Sequence, residues 1–179
     1  NTIYKNMKIL QIVYPGLGGT GSVSFSVVEG QKHRKYINVF LFVGIEKLIT
    51  DYKKKCKKLN INFEYIHKKR YHIQLRKILV FLKKTKPKII IIHEYNILPF
   101  YIFSLFNKTK LIYVSHTPDK TKKIRQWVLY IFNSFFCHNI ILVSKRNKND
   151  FKYKINNLLF KKKVTVIENG INIKKFSNE

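Results

Sequence analysis

Acidic residues are scarce in this chain of 179 residues. Nine Asp and Glu stand against 36 Lys and Arg, which gives a formal net charge of +27. A field of that sign attracts anions over long range, so an anionic partner is expected. Part of the excess has a simpler source, because Lys, Ile, Asn, Tyr and Phe are over-used together, as AT-rich coding produces. The charge alone therefore names no ligand.

Cysteine is also rare, with Cys56 and Cys137 as the only two. They form no C-x-x-C pair, no zinc-ligand spacing and no disulfide framework, which favours a reducing cytoplasm. No metal site is expected. The polar stretch from Asn1 to Asn6 lacks the apolar core of a signal peptide, and we interpret residues 1–6 as upstream or cloning-derived sequence.

Long hydrophobic runs are missing as well. The longest stretch without a charged residue, Gln126 to Ser144, approaches the length of a membrane span. Asn133, Ser134, His138 and Asn139 interrupt it. The pattern predicts the end of a helix, a short break and a buried strand rather than a span.

What the chain does have is a series of short apolar runs rich in β-branched residues. Most are continuous rather than alternating, as expected for parallel strands buried on both faces. The seven runs are Ile9–Tyr14, Ile37–Val43, Asn62–Ile66, Ile89–His93, Leu111–Ser115, Ile140–Ser144 and Val164–Ile167.

Segments with helical spacing alternate with these runs. The clearest are Glu46 to Leu59 and Tyr71 to Lys84, the second of which is stopped by Pro87. The alternation predicts an α/β fold, a doubly wound Rossmann-like parallel sheet of about seven strands with helices on both faces. With strand order 3-2-1-4-5, the ligand crevice lies at the carboxyl ends of the first and fourth strands.

A glycine-rich loop follows the first strand. Residues Gly16 to Gly21 match G-x-G-x-x-G before a helix, so the amides of Gly18, Gly19 and Thr20 are candidates to contact a phosphate. Two alternatives stay open, the dinucleotide site of an oxidoreductase and a structural turn. Against the first, Glu46 comes late for a ribose partner.

Polar residues also end the fourth and fifth strands. Glu94 and its neighbour Tyr95 are candidate substrate contacts, because a carboxylate among so many cations suits a sugar hydroxyl. His93 is interpreted as an ordinary packed residue, since no second histidine stands at metal-ligand spacing. His116 is either a site residue or a satisfied loop histidine.

Five motifs in order carry a family resemblance. The chain from Met7 to Phe176 is similar to the amino-terminal half of group 1 (family four) glycosyltransferases. The motifs are Gly16–Gly19, Lys86–Glu94, Val114–His116, Val143–Lys145 and the segment Val164–Phe176 with its Asn-Gly-Ile-Asn.

The resemblance implies a GT-B fold and transfer of a sugar, with retention, from a nucleotide-sugar to a glycan or lipid-linked acceptor. Residues 7–168 would form the Rossmann-like acceptor-side domain. Residues 169–179 would begin the hinge to a second, donor-binding domain in cis that is missing here, so the chain alone is expected to be inactive. No cofactor beyond the nucleotide-sugar donor is implied.

The resemblance also assigns site residues. His116 is expected to be the catalytic residue that hydrogen-bonds the transferred sugar, and Gly18, Gly19 and Thr20 are expected to lie against the donor phosphates or the acceptor. Ser144 and Lys145 are further candidate substrate contacts. Two departures affect the donor side, because Glu168 stands where the family commonly has proline and Thr20-Gly21 replaces a common small-Glu or small-Arg pair.

The lysine-rich helices suggest a surface for an anionic partner. Lysines and arginines flank the apolar stripes of both helices between Lys47 and Lys84, as suits peripheral docking on the inner face of a membrane. A basic nucleic-acid-binding protein is the rival interpretation. It is not expected, because no helix-turn-helix, zinc or RNP-like pattern accompanies the charge.

Overall fold

The β-branched runs form the strands of one parallel sheet. The computed structural model describes residues 7–31, 36–67, 70–116, 123–143 and 164–167. Its elements in chain order are β1 Lys8–Val13, α1 Gly19–Gly30, β2 Ile37–Gly44, α2 Thr50–Lys58, β3 Asn62–His67, α3 Tyr71–Thr85, β4 Ile89–His93, α4 Leu98–Asn107, β5 Lys110–Ser115, α5 Ile124–Phe136, β6 Asn139–Leu142 and β7 Val164–Val166.

The strand order is β3-β2-β1-β4-β5-β6-β7, and every pair is parallel. This confirms the predicted fold class and the predicted order 3-2-1-4-5. Strand β1 is an interior strand, with Leu10 paired to Val39 of β2 on one side and to Ile90 of β4 on the other. Strands β2 and β3 are thus added on one side of β1, and the strands from β4 onward are added on the other. The predicted crevice requires this reversal of strand order between β1 and β4.

Two hydrophobic cores cover the faces of the sheet. The larger packs strand residues such as Ile90 against α3, α4 and α5, with Phe100 and Tyr130 fully buried. The smaller packs Phe40 and its neighbours in β2 against α1 and α2. Tight packing on both faces explains why the central strands are apolar at nearly every position.

The predicted helix from Glu46 to Leu59 is wrong at its start, because α2 begins at Thr50. Ile49 has extended backbone angles, and its N–H donates to the carbonyl of Pro15 at 3.2 Å. This bond ties the segment before α2 to the loop after β1. Leu48 is buried even so, which is why it fits a helical stripe in the sequence.

The other local predictions hold. Helix α3 ends at Thr85, where Lys86 takes a left-handed conformation ahead of Pro87. The stretch from Gln126 contains most of α5, a break and β6. Within the described residues no helix has the length and apolarity needed to cross a membrane. The predicted hinge, residues 169–179, lies outside the described residues.

Cys56 is fully buried on α2, and this burial raises the pKa of its thiol to about 12. Because the thiolate is the reactive form, Cys56 should resist a charged thiol reagent at pH 8 in the folded chain and react after denaturation. The half-buried Cys137 should label first. Mass spectrometry of labelled peptides reads both sites, with Cys56→Ser as the control. Labelling of native Cys56 at the rate of the unfolded chain would contradict the described core.

Candidate functional site

Three strands end side by side at one edge of the sheet. They are β1, β4 and β5, which are neighbours in the sheet and run parallel. Gly18 lies in the loop after β1, and Glu94 and His116 directly follow β4 and β5 at this edge. The sequence prediction that these three residues share one edge is therefore met by the topology.

The glycines around the first loop fall into two groups. A methyl group at Gly21 would overlap the Tyr52 hydroxyl, and one at Gly16 would overlap the Glu46 carboxylate, so neighbouring side chains require glycine there. A methyl group at Gly18 or Gly19 would meet open space. Packing therefore does not explain the two glycines that the sequence assigned to phosphate contact.

Helix α1 begins at Gly19, and no side chain caps its first turn. The first amides of a helix have no partner within the helix and carry its positive end. Its first turn holds no acidic residue, so nothing there offsets that end. Thr20 is the second residue of α1, and its carbonyl accepts a hydrogen bond from the Ser24 hydroxyl at 2.9 Å.

A hollow of about 340 Å³ lies between this loop and α2. It is lined by Leu17 and Gly18 of the loop and by Asp51, Tyr52, Lys54 and Lys55 of α2. The Tyr52 hydroxyl donates to the Gly18 carbonyl at 3.2 Å, which fixes the loop against α2. Lys54 and Lys55 give the hollow two positive charges to attract an anionic group, and the carboxylate of Asp51 offsets part of that attraction.

A chain of hydrogen bonds links the glycine side of the edge to His116. His93, at the end of β4, lies between them and is buried. Its Nε2 is 3.0 Å from Ser24 Oγ and 3.4 Å from Gln11 Oε1, and its Nδ1 is 2.9 Å from His116 Nε2. Burial, with the nearby positive charge of His116, lowers the pKa of His93 to about 3, although Glu94 opposes the shift. His93 is therefore neutral at physiological pH.

Glu94 holds the end of β5 from the neighbouring loop. Its carboxylate accepts the backbone N–H of His116 at 3.0 Å and the Ser115 hydroxyl at 3.4 Å. Its φ of 49° is left-handed, which is uncommon for a side chain of this kind. His116 is thus held at its ring by His93 and at its backbone by Glu94.

Tyr95 lies on the inner side of the same loop. Its ring packs against Phe100, its carbonyl accepts from Asn133 Nδ2 at 2.8 Å, and burial raises the pKa of its hydroxyl to about 12. These contacts anchor the loop to α5, and the substrate contact predicted for Tyr95 stays a prediction. The candidates Ser144 and Lys145 lie outside the described residues.

The sequence analysis did not identify Gln11 or Ser24 at this edge, and it named His93 only as a packed residue, which its burial bears out. Two signals in the sequence point to Gln11 and Ser24. Gln11 is the one polar residue in the buried run of β1, and Ser24 stands one helical turn after Thr20. In the part of the chain that the structure describes, no group of three His, Cys, Asp or Glu side chains lies close enough to hold a metal ion.

Residues 33–175 match the family described as Glycosyltransferase Family 4. No curated protein matches. Similar solved structures include a glycosyltransferase from Rickettsia africae ESF-5, at 17% identity over 97% of this chain and 46% of that one, with a TM-score of 0.65. The lipopolysaccharide outer core galactosyltransferase WaaB has 17% identity, 93% and 47% coverage and a TM-score of 0.66.

The UDP-GlcNAc 2-epimerase from Methanocaldococcus jannaschii has 12% identity, 92% and 45% coverage and a TM-score of 0.58. At these identities the likeness shows the fold. The chain spans about half the length of all three structures.

The two groups of glycines should respond differently to alanine. Gly21→Ala should lower the free energy of unfolding by about 1–3 kcal/mol, because the methyl group overpacks the contact with Tyr52. Gly18→Ala, which adds a methyl group in open space and extended backbone, should stay within about 0.5 kcal/mol. Urea denaturation measures both. Equal losses in the two variants would show that the loop is not open at Gly18.

Proposed function

Because this chain belongs to Glycosyltransferase Family 4, we propose that it is the acceptor-side half of an enzyme that moves a sugar from a nucleotide-sugar to a glycan or lipid-linked acceptor. The observation that carries the proposal is the position of Gly18, Glu94 and His116 after the neighbouring strands β1, β4 and β5, at the carboxyl edge of the sheet. The hollow with two lysines contacts Gly18 and lies on the α2 side of this edge. The donor half would come from a second domain in cis.

In this proposal the chain contributes one wall of a cleft. Transfer with retention requires that the leaving diphosphate is stabilised and that the sugar is held against the acceptor hydroxyl. The open amides around Gly18 and Gly19 suit the diphosphate, and the imidazole of His116 suits a sugar hydroxyl. Glu94 contributes by fixing the backbone of His116.

The oxidoreductase alternative needs a carboxylate after β2 that can hold a ribose. Glu46 is the candidate, but its carboxylate lies against Gly16 and raises the pKa of Tyr14 chiefly through a hydrogen bond. Together with the family match, this contact favours sugar transfer over dinucleotide binding.

Nucleotide-sugar turnover tests the proposal. This chain alone should show none, and the polypeptide extended by the coding sequence that follows Glu179 should transfer sugar to lipid or oligosaccharide extracts. In the extended polypeptide, His116→Ala should lower kcat by about 10²–10³, because a group that acts in the transition state is lost.

The matched control is His72→Ala. His72 is exposed at the start of α3, which follows the edge strand β3. Turnover by the chain alone, or equal losses in the two variants, would contradict the proposed roles.

We also propose that the chain docks on an anionic bilayer through α5, whereas the sequence predicted this surface on both lysine-rich helices, α2 and α3. On α2 the apolar residues Tyr52 and Cys56 face the core, so only charges face outward. On α5 one apolar stripe faces solvent, whereas Tyr130 faces the core. This outer stripe consists of Ile124, Val128, Ile131 and Phe132, of which Ile124 is 80% and Val128 64% exposed.

The positive charges beside the outer stripe of α5 favour an anionic bilayer as its binding partner. Lys123 and Arg125 are exposed at the first turn of α5, and no acidic residue lies within the helix. Between Glu94 and Asp150, the only acidic residue in the sequence is Asp119. Helix α5 also begins at the carboxyl edge of the sheet, because it follows β5, so a lipid-carried acceptor would enter beside His116.

Vesicle co-sedimentation tests the outer stripe of α5. The chain should bind phosphatidylcholine vesicles that contain phosphatidylglycerol, and Ile124→Ser with Val128→Ser should weaken binding about tenfold through the apolar area lost. Leu105→Ser is the matched control, because Leu105 is about as exposed as Val128 and lies on α4, outside the proposed surface. Binding that ignores the phosphatidylglycerol content, or an equal loss with Leu105→Ser, would rule out this surface.

A further inference from the structure

The protonation state of His93 follows from its neighbours. The Ser24 hydroxyl has one proton and donates it to the Thr20 carbonyl at 2.9 Å, so its oxygen accepts from His93 Nε2. The oxygen of the Gln11 amide faces the same nitrogen, and the amide nitrogen donates to the Ser24 carbonyl at 3.4 Å. Both groups near Nε2 are thus acceptors, and His93 must carry its proton there.

This assignment determines the other nitrogen of the ring. A neutral imidazole with its proton on Nε2 has a lone pair on Nδ1, which can only accept. His116 Nε2 lies 2.9 Å from that nitrogen. The two ring planes differ by 28° and the ring centroids are 5.2 Å apart, a separation that suits a hydrogen bond between the ring edges. His116 Nε2 must therefore donate.

Burial keeps this arrangement intact across the physiological range. The pKa of His93 is about 3, so the ring stays neutral and its Nδ1 stays an acceptor at every pH from about 5 to 8. Among the described residues, the charged groups that act on His93 are His116 and Glu94, and their influences are opposite.

We propose that His93 is a positioning residue, which holds His116 as the tautomer protonated on Nε2 and directs the gain or loss of a proton at His116 to Nδ1. The chain Gln11–Ser24–His93 fixes the acceptor, and the Glu94 carboxylate fixes the His116 backbone. The role of His93 in sugar transfer rests on the proposed function, whereas the tautomer itself does not.

Nuclear magnetic resonance of the chain with 15N-labelled histidine tests the proposal directly. Long-range 1H–15N correlation spectra between pH 5 and 8 should show His93 with a protonated Nε2 and an unprotonated Nδ1 throughout. His116 should keep its Nε2 proton at every pH. A His93 that titrates in this range, a His93 protonated on Nδ1, or a His116 without a proton on Nε2 would overturn the proposal.

Two variants separate positioning from packing. His93→Leu fills similar space without an acceptor, so His116 should lose its single tautomer. His93→Asn offers a side-chain oxygen near the position of Nδ1 and should restore the Nε2–H form. A His116 spectrum that is the same in both variants would overturn the proposal, and the wild-type spectra decide it if His93→Leu does not fold.

These spectra contain no substrate. A wrong tautomer therefore removes the positioning role and leaves the sugar-transfer proposal standing, whereas a failed turnover assay leaves the tautomer standing.

Discussion

The hydrogen bonding of β1 to β2 on one side and to β4 on the other is the constraint on which the rest of the structure depends. From β1 the chain builds outward through β2 and β3, then returns to the opposite side and builds outward again through β4. Because parallel strands need crossover helices, this reversal sends α1 and α2 to one face and α3 to α5 to the other. Among the described elements, the helices then diverge above the carboxyl ends of β1 and β4. The polar groups of the site collect there.

Two kinds of pressure act on the residues at this edge. Packing dictates some of them, as at Gly21, whose missing side chain leaves room for Tyr52. Desolvation determines the state of others. His93 is buried, and this burial keeps its imidazole uncharged. For His93 the cost of burying a charge exceeds the favourable influence of Glu94, so the ring serves as a neutral hydrogen-bonding group.

Much of the fold was predictable because its signals are local. Runs such as Ile89–His93 are continuous and β-branched, which identifies them as buried parallel strands. The right-handed crossover rule then limits the orders in which those strands can pair. The start of α2 was not predictable, because it depends on the bond from Ile49 to Pro15, which joins two segments 34 positions apart. The importance of His93 was hidden for the same reason, since its partners Ser24 and Gln11 are 69 and 82 residues away in sequence. Gly18 and Gly19 were found from their motif, but only the space around them separates their role from that of Gly16 and Gly21.

The left-handed backbone of Glu94 has a consequence for ligand recognition. The left-handed conformation costs a residue with a Cβ roughly 1–2 kcal/mol of conformational free energy. The hydrogen bonds that the Glu94 carboxylate accepts from Ser115 and His116 offset this cost in the folded protein. The bend after β4 is thereby set during folding rather than on contact with a ligand. An incoming molecule meets a preorganised rim and loses less binding free energy to the entropy of ordering it.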